Sequence, residues 1–319
     1  MPEGADLGKR LRAGDLSAAP AVLNLVENRS PAARAETEQL LAWVSASARG
    51  REPGAHVVGI TGPPGVGKSS LLSRLVSEWR ARGRSVAVLA VDPSSRRSGG
   101  SLLGDRARIE ADPADREVYI RSTAVGERLG GLAPATRAAA SALAAAFDVV
   151  VIETVGVGQS ETEVADVADT VAVVVQPGSG DVLQFLKSGI MEIPDVLVVT
   201  KADLGRPAMR ALADLRSALR SLGARQIPVI AVSSVPPPTG IGELVDALDA
   251  HRAGLDLSTH RLHARRLHAL ADFSAEHGER GLRALGGRRA AERWLEQQDP
   301  GLDVATLARS LAARASTSS

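Results

Sequence analysis

Gly62, Gly65, Gly67, Lys68 and Ser69 stand in the spacing G-x-x-x-x-G-K-[ST], filled here as Gly62-Pro63-Pro64-Gly65-Val66-Gly67-Lys68-Ser69 and followed by Ser70. That spacing suits one kind of ligand. Several backbone N–H groups must converge on a polyphosphate, and only glycine lets the chain come that close and take the positive φ values required. The stretch from Gly62 to Ser70 is therefore read as a nucleotide-phosphate cradle. Lys68 is expected to reach the β- and γ-phosphates, and the Ser69 hydroxyl to ligate Mg²⁺. A helix starting near Lys68 aims its dipole and unpaired N–H groups at the same anion. A glycine-rich turn could match by accident, but a strand-like run before it and a helical pattern from Ser70 to Arg82 argue against accident.

Carboxylates follow at the ends of apolar runs. Ser85 to Val91 ends in Asp92, and the charged glycine- and serine-rich stretch after it contains Asp105. Both are candidates for holding Mg²⁺, an ion that keeps several waters and takes few protein carboxylates; the alternative for Asp92 is capping the turn before Pro93. Asp148 to Ile152 ends in Glu153, with Gly156 three residues on. That is a switch arrangement, in which Glu153 joins the Mg²⁺ and water network and the Gly156 N–H senses the γ-phosphate. Gln159 is more often a surface residue than one that orients water. Asp195 to Val199 ends in Thr200-Lys201-Ala202-Asp203, similar to a guanine reader N-K-x-D with threonine in place of asparagine. There Asp203 would accept from the ring N–H and exocyclic amine of guanine, a donor pair that adenine lacks, and the Lys201 stem would lie along the base. Threonine loses the two-ended amide, so a less firmly held loop and weaker GTP affinity are expected. Ser233-Ser234 follows the last strand, where a backbone N–H would meet the guanine oxygen.

These groups need a scaffold that delivers strand ends to one place. Short, near-continuous apolar runs such as Ser85–Val91 and Thr170–Gln176 read as parallel strands covered on both faces. The expected fold class is α/β: a P-loop NTPase with a mostly parallel central sheet flanked by helices, plus N- and C-terminal helical extensions. Residues 1–50 read as the N-terminal extension, 51–255 as the nucleotide domain and 256–319 as a C-terminal helical segment. Arg121 to Gly131 reads as a polar loop, Ala133 to Phe147 and Val182 to Met191 as helices, and Gln226 to Val232 as the last strand. Glycines 281, 286 and 287 should divide the C-terminal helices. His260, His263 and His268 lie among arginines there and read as a basic face rather than a metal site.

Composition narrows the classes. The 319 residues are 44% hydrophobic but only 2% aromatic, and 38 basic residues nearly cancel 37 acidic ones, which leaves no global field for nucleic acid or an anionic membrane. The absence of cysteine excludes disulfides, thiolate zinc sites and cysteine nucleophiles, and fits a reducing, cytoplasmic setting. The first ten residues show no secretion signal, and the apolar runs are too short to span a bilayer.

Behind GPPGVGKS, the segments VDPSSRRSGGSLLGDRARI, RLGGLAPAT, VVIETVGVGQSE, QPGSGDVLQFLKSGIMEI and TKAD resemble, in that order, the MeaB/ArgK group of P-loop GTPases. These are the methylmalonyl-CoA mutase-associated G proteins, and the resemblance is close from about Ala13 to Leu248. It implies Mg²⁺-dependent GTP hydrolysis in a homodimer formed through the C-terminal helices. It also implies service to a cobalamin-dependent acyl-CoA mutase, with gating of adenosylcobalamin loading, ejection of damaged cofactor and a cobalamin adenosyltransferase as a further partner. Three switches map to about Asp92–Arg108, Glu153–Asp166 and Gly178–Gly189, and Asp105, Arg108 and Lys187 match family positions. The alternative is an ATP-using kinase of periplasmic binding proteins, a role also assigned to this group; guanine preference at TKAD argues against it.

Overall fold

A computed structural model describes residues 3–92, 109–124, 134–154, 164–178, 194–224 and 226–317. The chain forms two compact units, one of Met1–Gly54, Ser141–Ala146 and Asp256–Ser319, the other of Ala55–Ala140 and Phe147–Leu255.

The second unit is built on a seven-stranded sheet. Its strands are β1 (His56–Thr61), β2 (Val86–Asp92), β3 (Val118–Ala124), β4 (Val149–Thr154), β5 (Thr170–Val175), β6 (Val196–Val199) and β7 (Val229–Ala231). They lie in the order β3-β2-β4-β1-β5-β6-β7, and every pairing is parallel. β1, β4, β5 and β6 are buried at every residue, as a parallel sheet covered on both faces requires. Helix α5 (Lys68–Ala81) and the helix at Ile241–Gly254 add Leu71, Leu72, Leu75, Trp79, Leu244 and Leu248 to one core with Val58, Val88, Val151 and Val174. The chain leaves β1 toward β2 on one side and reaches β5 on the other, so the carboxyl end of β1 is the switch point at which open α/β sheets bind ligands.

Buried strand starts need partners for their first N–H groups. Aspartates immediately before three strands supply them to the neighbouring strand. Asp148 Oδ2 accepts from Ser85 N, Asp169 Oδ2 from Val57 N, and Asp195 Oδ2 from Val171 N, each at 2.8 Å. The D-V and D-T pairs that open apolar runs in the sequence thus pin adjacent strands in register.

In the first unit, α1 (Gly4–Arg12), α2 (Ala19–Glu27), α3 (Pro31–Val44) and α4 (Ala46–Arg49) are joined by the long C-terminal helix Leu257–Ala284 and the helices Arg288–Glu296 and Val304–Thr317. Ser30 caps α3 by accepting from Ala33 N at 3.2 Å, with Pro31 at the first helical position as its sequence suggests. The Arg265–Glu52 ion pair and the Ser47 N to Gly301 O hydrogen bond, 2.9 Å long, tie the two ends of the chain together.

Some sequence expectations are corrected. Arg121 to Ala124, read as loop, are the last residues of β3; an edge strand pairs on one side only, and its residues 118–122 are half-exposed, so no buried apolar run marks it. β7 is shorter than Gln226–Val232 because Pro228 has no N–H to donate, although its carbonyl accepts from Leu197 N at 2.9 Å. The alanine-rich helix stops at Leu143 rather than at Phe147. The long C-terminal helix runs through Gly281 to Ala284 and is instead interrupted at Gly278, where φ is 59° and ψ −164°. The helix expected at Val182–Met191 lies outside the described residues.

At the amino end of β1, His56 is 3% exposed. Its Nε2 shares a 2.8 Å hydrogen bond with Thr170 Oγ1, which is 2.9 Å from His251 Nδ1, and His251 Nε2 lies 3.1 Å from Asp195 Oδ1. Burial pushes the His56 pKa below 6.5, against the pull of Asp249 and Asp169. The folded ring therefore stays neutral where the unfolded one takes up a proton, so the unfolded state gains protons first as pH falls below about 6.5. The stability of the fold should drop between pH 7.5 and 5.5, by roughly 1.4 kcal/mol for each unit of pKa difference, and His56→Gln should flatten that slope in urea titrations across the range. An unchanged slope in the variant would rule His56 out as its source.

Candidate nucleotide site

β1 ends at Thr61, and the chain turns through Gly62 into the loop that opens α5. Gly62 has φ 145°, and a Cβ there would sit 2.2 Å from the Val174 carbonyl oxygen of β5, so no other residue fits. Gly65 (φ 77°) and Gly67 (φ 96°) also take positive φ, the second as N-cap of α5. The Lys68 ammonium is held inside this loop, donating to Gly62 O at 2.6 Å and Pro63 O at 3.0 Å, with only 7% of the residue exposed. A desolvated cation beside a helix N-terminus forms a strongly anion-seeking concavity.

β4 lies beside β1 with Glu153 opposite Ile60, and this register brings its carboxylate to the loop. Ser69 Oγ donates to Glu153 Oε1 at 3.1 Å, and Glu153 is 7% exposed. Thr154 Oγ1 donates to Thr61 Oγ1 at 2.9 Å, closing the seam between the two strand ends. Asp92 ends β2 with its backbone opposite Ala124, two residues beyond Ala90, the partner of Glu153, so it reaches the same sheet edge. Its side chain, and Asp105, Gly156, Gln159, Arg108 and Lys187 entirely, lie outside the described residues, as do most of the three switch segments. Among the described residues no three His, Cys, Asp or Glu side chains gather into a metal cage. The adjacent Ser69 hydroxyl and Glu153 carboxylate are hard oxygen donors in the small number that Mg²⁺ takes beside phosphate and water, so the donor set fits that ion.

The base-reading loop is fastened to the phosphate loop. Thr200 is 4% exposed, and its Oγ1 lies 2.7 Å from Val66 O and 3.1 Å from Val175 O, the shorter contact being the one to the phosphate loop. The Thr200 N–H donates to Val175 O at 2.9 Å. The hydroxyl and the amide of Thr200 together tie this loop to the phosphate loop and to the end of β5. Lys201 is the only described non-glycine residue with positive φ, 56°. Ala202 N donates to Val232 O at 3.0 Å, joining this loop to the one after β7.

Asp203 Oδ1 accepts from Ser233 Oγ at 2.7 Å, which orients the carboxylate and leaves its other oxygen outside this bond. The side chain is exposed here, so its desolvation has to come with the base rather than precede it. Ser233 N and O both pair with Thr239, at 3.0 and 3.1 Å, so of the two serine amides Ser234 is the one not used in that bridge. The peptide after Ser234 is clamped at both ends: Arg74 Nε donates to Ser234 O at 3.0 Å and Val235 N donates to Ser233 Oγ at 3.2 Å. Arg74 belongs to α5, the helix that begins at the phosphate loop. Nothing in the linear pattern marks it, because its partner is a backbone atom 160 residues away.

Removing the Thr200 hydroxyl should orphan the buried Val66 carbonyl, at a cost of about 1–3 kcal/mol. Thr200→Val is expected to weaken guanine-nucleotide binding by about tenfold or more, with Thr200→Ser near the parent value, in direct titrations. Equal affinities for the two variants would show that the tie carries no binding energy.

Comparison with known proteins bears on the chemistry of this site. The family model described as methylmalonyl-CoA mutase-associated GTPase MeaB matches residues 19–278. A probable GTPase of Mycobacterium tuberculosis is 42% identical over 253 residues, 77% of this chain and 74% of that protein. A mitochondrial methylmalonic aciduria type A homolog of Caenorhabditis elegans is 39% identical over 263 residues, 77% of this chain and 65% of that one. Among solved structures, one titled LAO/AO transport system kinase is 28% identical with a TM-score of 0.64, covering 97% of this chain and 96% of that chain. The chain therefore belongs to the methylmalonyl-CoA mutase-associated GTPase family, and its chemistry is the hydrolysis of GTP.

Proposed function

We propose that this GTPase is a G-protein chaperone for a cobalamin-dependent acyl-CoA mutase, gating adenosylcobalamin loading and protecting or reactivating the mutase. The observation that carries the reading is the family match over residues 19–278, a family defined by association with methylmalonyl-CoA mutase. A relative named for methylmalonic aciduria supports it.

Within the site, the Lys68 ammonium leaves its loop carbonyls for the β- and γ-phosphates, and the N–H groups from Gly62 to Ser70 surround them. Ser69 and Glu153 would hold Mg²⁺, with Asp92, whose backbone ends at the same sheet edge, and Asp105 as further carboxylates; the ion would supply neutralisation of charge on the phosphate oxygens. Gly156 reports the γ-phosphate to the segment that follows β4. Asp203 accepts from the guanine edge, Ser234 N–H donates to its oxygen, and Ser233 keeps Asp203 in place. The switch segments then differ between the GTP and GDP forms, and the mutase reads the difference.

The chain acts as a homodimer through residues 256–319, in the cytoplasm, with a cobalamin adenosyltransferase as a further partner. The absence of cysteine suits a reducing compartment, and among the described residues no helix is long and apolar enough to cross a membrane. The kinase alternative is not favoured: its relatives here are named GTPases, and the kinase title belongs to a structure 28% identical to this chain.

Phosphate release from GTP should be slow for the chain alone and faster when a purified methylmalonyl-CoA mutase is added. Lys68→Ala should lower both rates at least about a hundredfold. Turnover indifferent to every acyl-CoA mutase tried would contradict the chaperone reading, and hydrolysis kept by the lysine variant would place the site elsewhere.

A further inference from the structure

Lys201 poses a problem that the sequence pattern leaves open. A lysine with φ 56° is held in a left-handed conformation that a residue with a Cβ rarely adopts, so its surroundings must fix it. Its backbone is fixed by its neighbours, Thr200 N–H on Val175 O and Ala202 N–H on Val232 O. Its side chain must be fixed separately. A flexible four-carbon stem gains little from a flat base unless the ammonium at its end is anchored. The Gly65 carbonyl, at 3.5 Å, is at the limit of hydrogen bonding. The closer acceptor is Gln176 Oε1, in short contact with Lys201 Nζ.

The sheet explains how Gln176 gets there. Val175 and Val199 are register partners at the ends of β5 and β6, so Gln176 and Thr200 leave the sheet side by side. Lys201 is the next residue, and the left-handed turn there brings its side chain back across the strand end toward both Gly65 and Gln176. Both Gln176 and Lys201 are half-buried, so this charge-assisted hydrogen bond is partly shielded from water.

We propose that Gln176 is the positioning residue of the guanine reader, its amide oxygen anchoring the Lys201 ammonium so that the lysine stem lies flat for the base. In this role it acts through Lys201, the residue its amide oxygen meets. The inference rests on the assignment of Thr200–Asp203 as the guanine reader. It also gives β5 a part in base recognition, immediately before Pro177 and Gly178 turn the chain away from the sheet.

Gln176→Met keeps the length of the side chain and removes the acceptor, whereas Gln176→Glu keeps an acceptor in the same place. Full-length variants are titrated with GDP and ADP by calorimetry, and GTP turnover is measured over a range of concentrations. The Met variant should bind GDP about tenfold more weakly and raise KM for GTP by a similar factor, with kcat at saturating GTP within about twofold of the parent. The Glu variant should stay within about twofold on every measure. A Met variant that binds GDP like the parent, a loss that falls on kcat instead of KM, or a Glu variant as weak as the Met one would overturn the proposal. The unsubstituted chain is the separate control: if it binds ADP as tightly as GDP, the guanine assignment itself fails.

Discussion

The hydrogen bond from the Thr200 hydroxyl to the Val66 carbonyl is the contact on which the rest of the site depends. One side of it is the loop that offers N–H groups and the Lys68 ammonium to phosphate; the other is the loop that presents Lys201 and Asp203 to a base. Each loop alone is a short irregular segment with its own freedom to move. Joined through a buried hydroxyl, they hold a fixed separation, and a ligand with both a base and a polyphosphate can use both at once without ordering them first. Arg74 makes a second link in the same sense, from the phosphate-loop helix to the loop after β7.

Behind that contact stands the parallel sheet. All seven strands run the same way, so their carboxyl ends, with Glu153, Asp92, Thr200 and Ser233 on or just past them, share one edge. The opposite edge is held differently, by carboxylates before β4, β5 and β6 that accept from the first N–H groups of their neighbours, and by the His56–Thr170–His251 chain. A slip of one residue between β1 and β4 would turn Glu153 to the other face and away from Ser69. Register at the amino edge therefore sets the chemistry available at the carboxyl edge.

Much of this was legible in the sequence for a physical reason: the phosphate loop, the buried strands and the strand-end carboxylates each rest on local chemistry. A P-loop needs glycine at set positions, and a doubly covered strand needs an unbroken apolar run. β3 was not legible, because an edge strand obeys neither burial rule and takes its stability from one neighbour's backbone. Thr200 was read as a weakened position because a side chain in isolation loses an amide; its partners, the carbonyls of Val66 and Val175, become visible only once the strands are in register. The same holds for Ser233, whose amide is spent on Thr239, and for Arg74 and Gln176, which act through atoms distant in sequence.

The central claim is that the phosphate and base loops respond to a guanine nucleotide as one body. Hydrogen–deuterium exchange of the full chain, with and without GDP and with ADP as the control, measures this directly, since opening free energies are read segment by segment. The account predicts that GDP slows exchange together in residues 62–70, 200–205 and 233–235, and that ADP at the same concentration does not. Protection confined to 62–70, or equal protection by ADP, would contradict it.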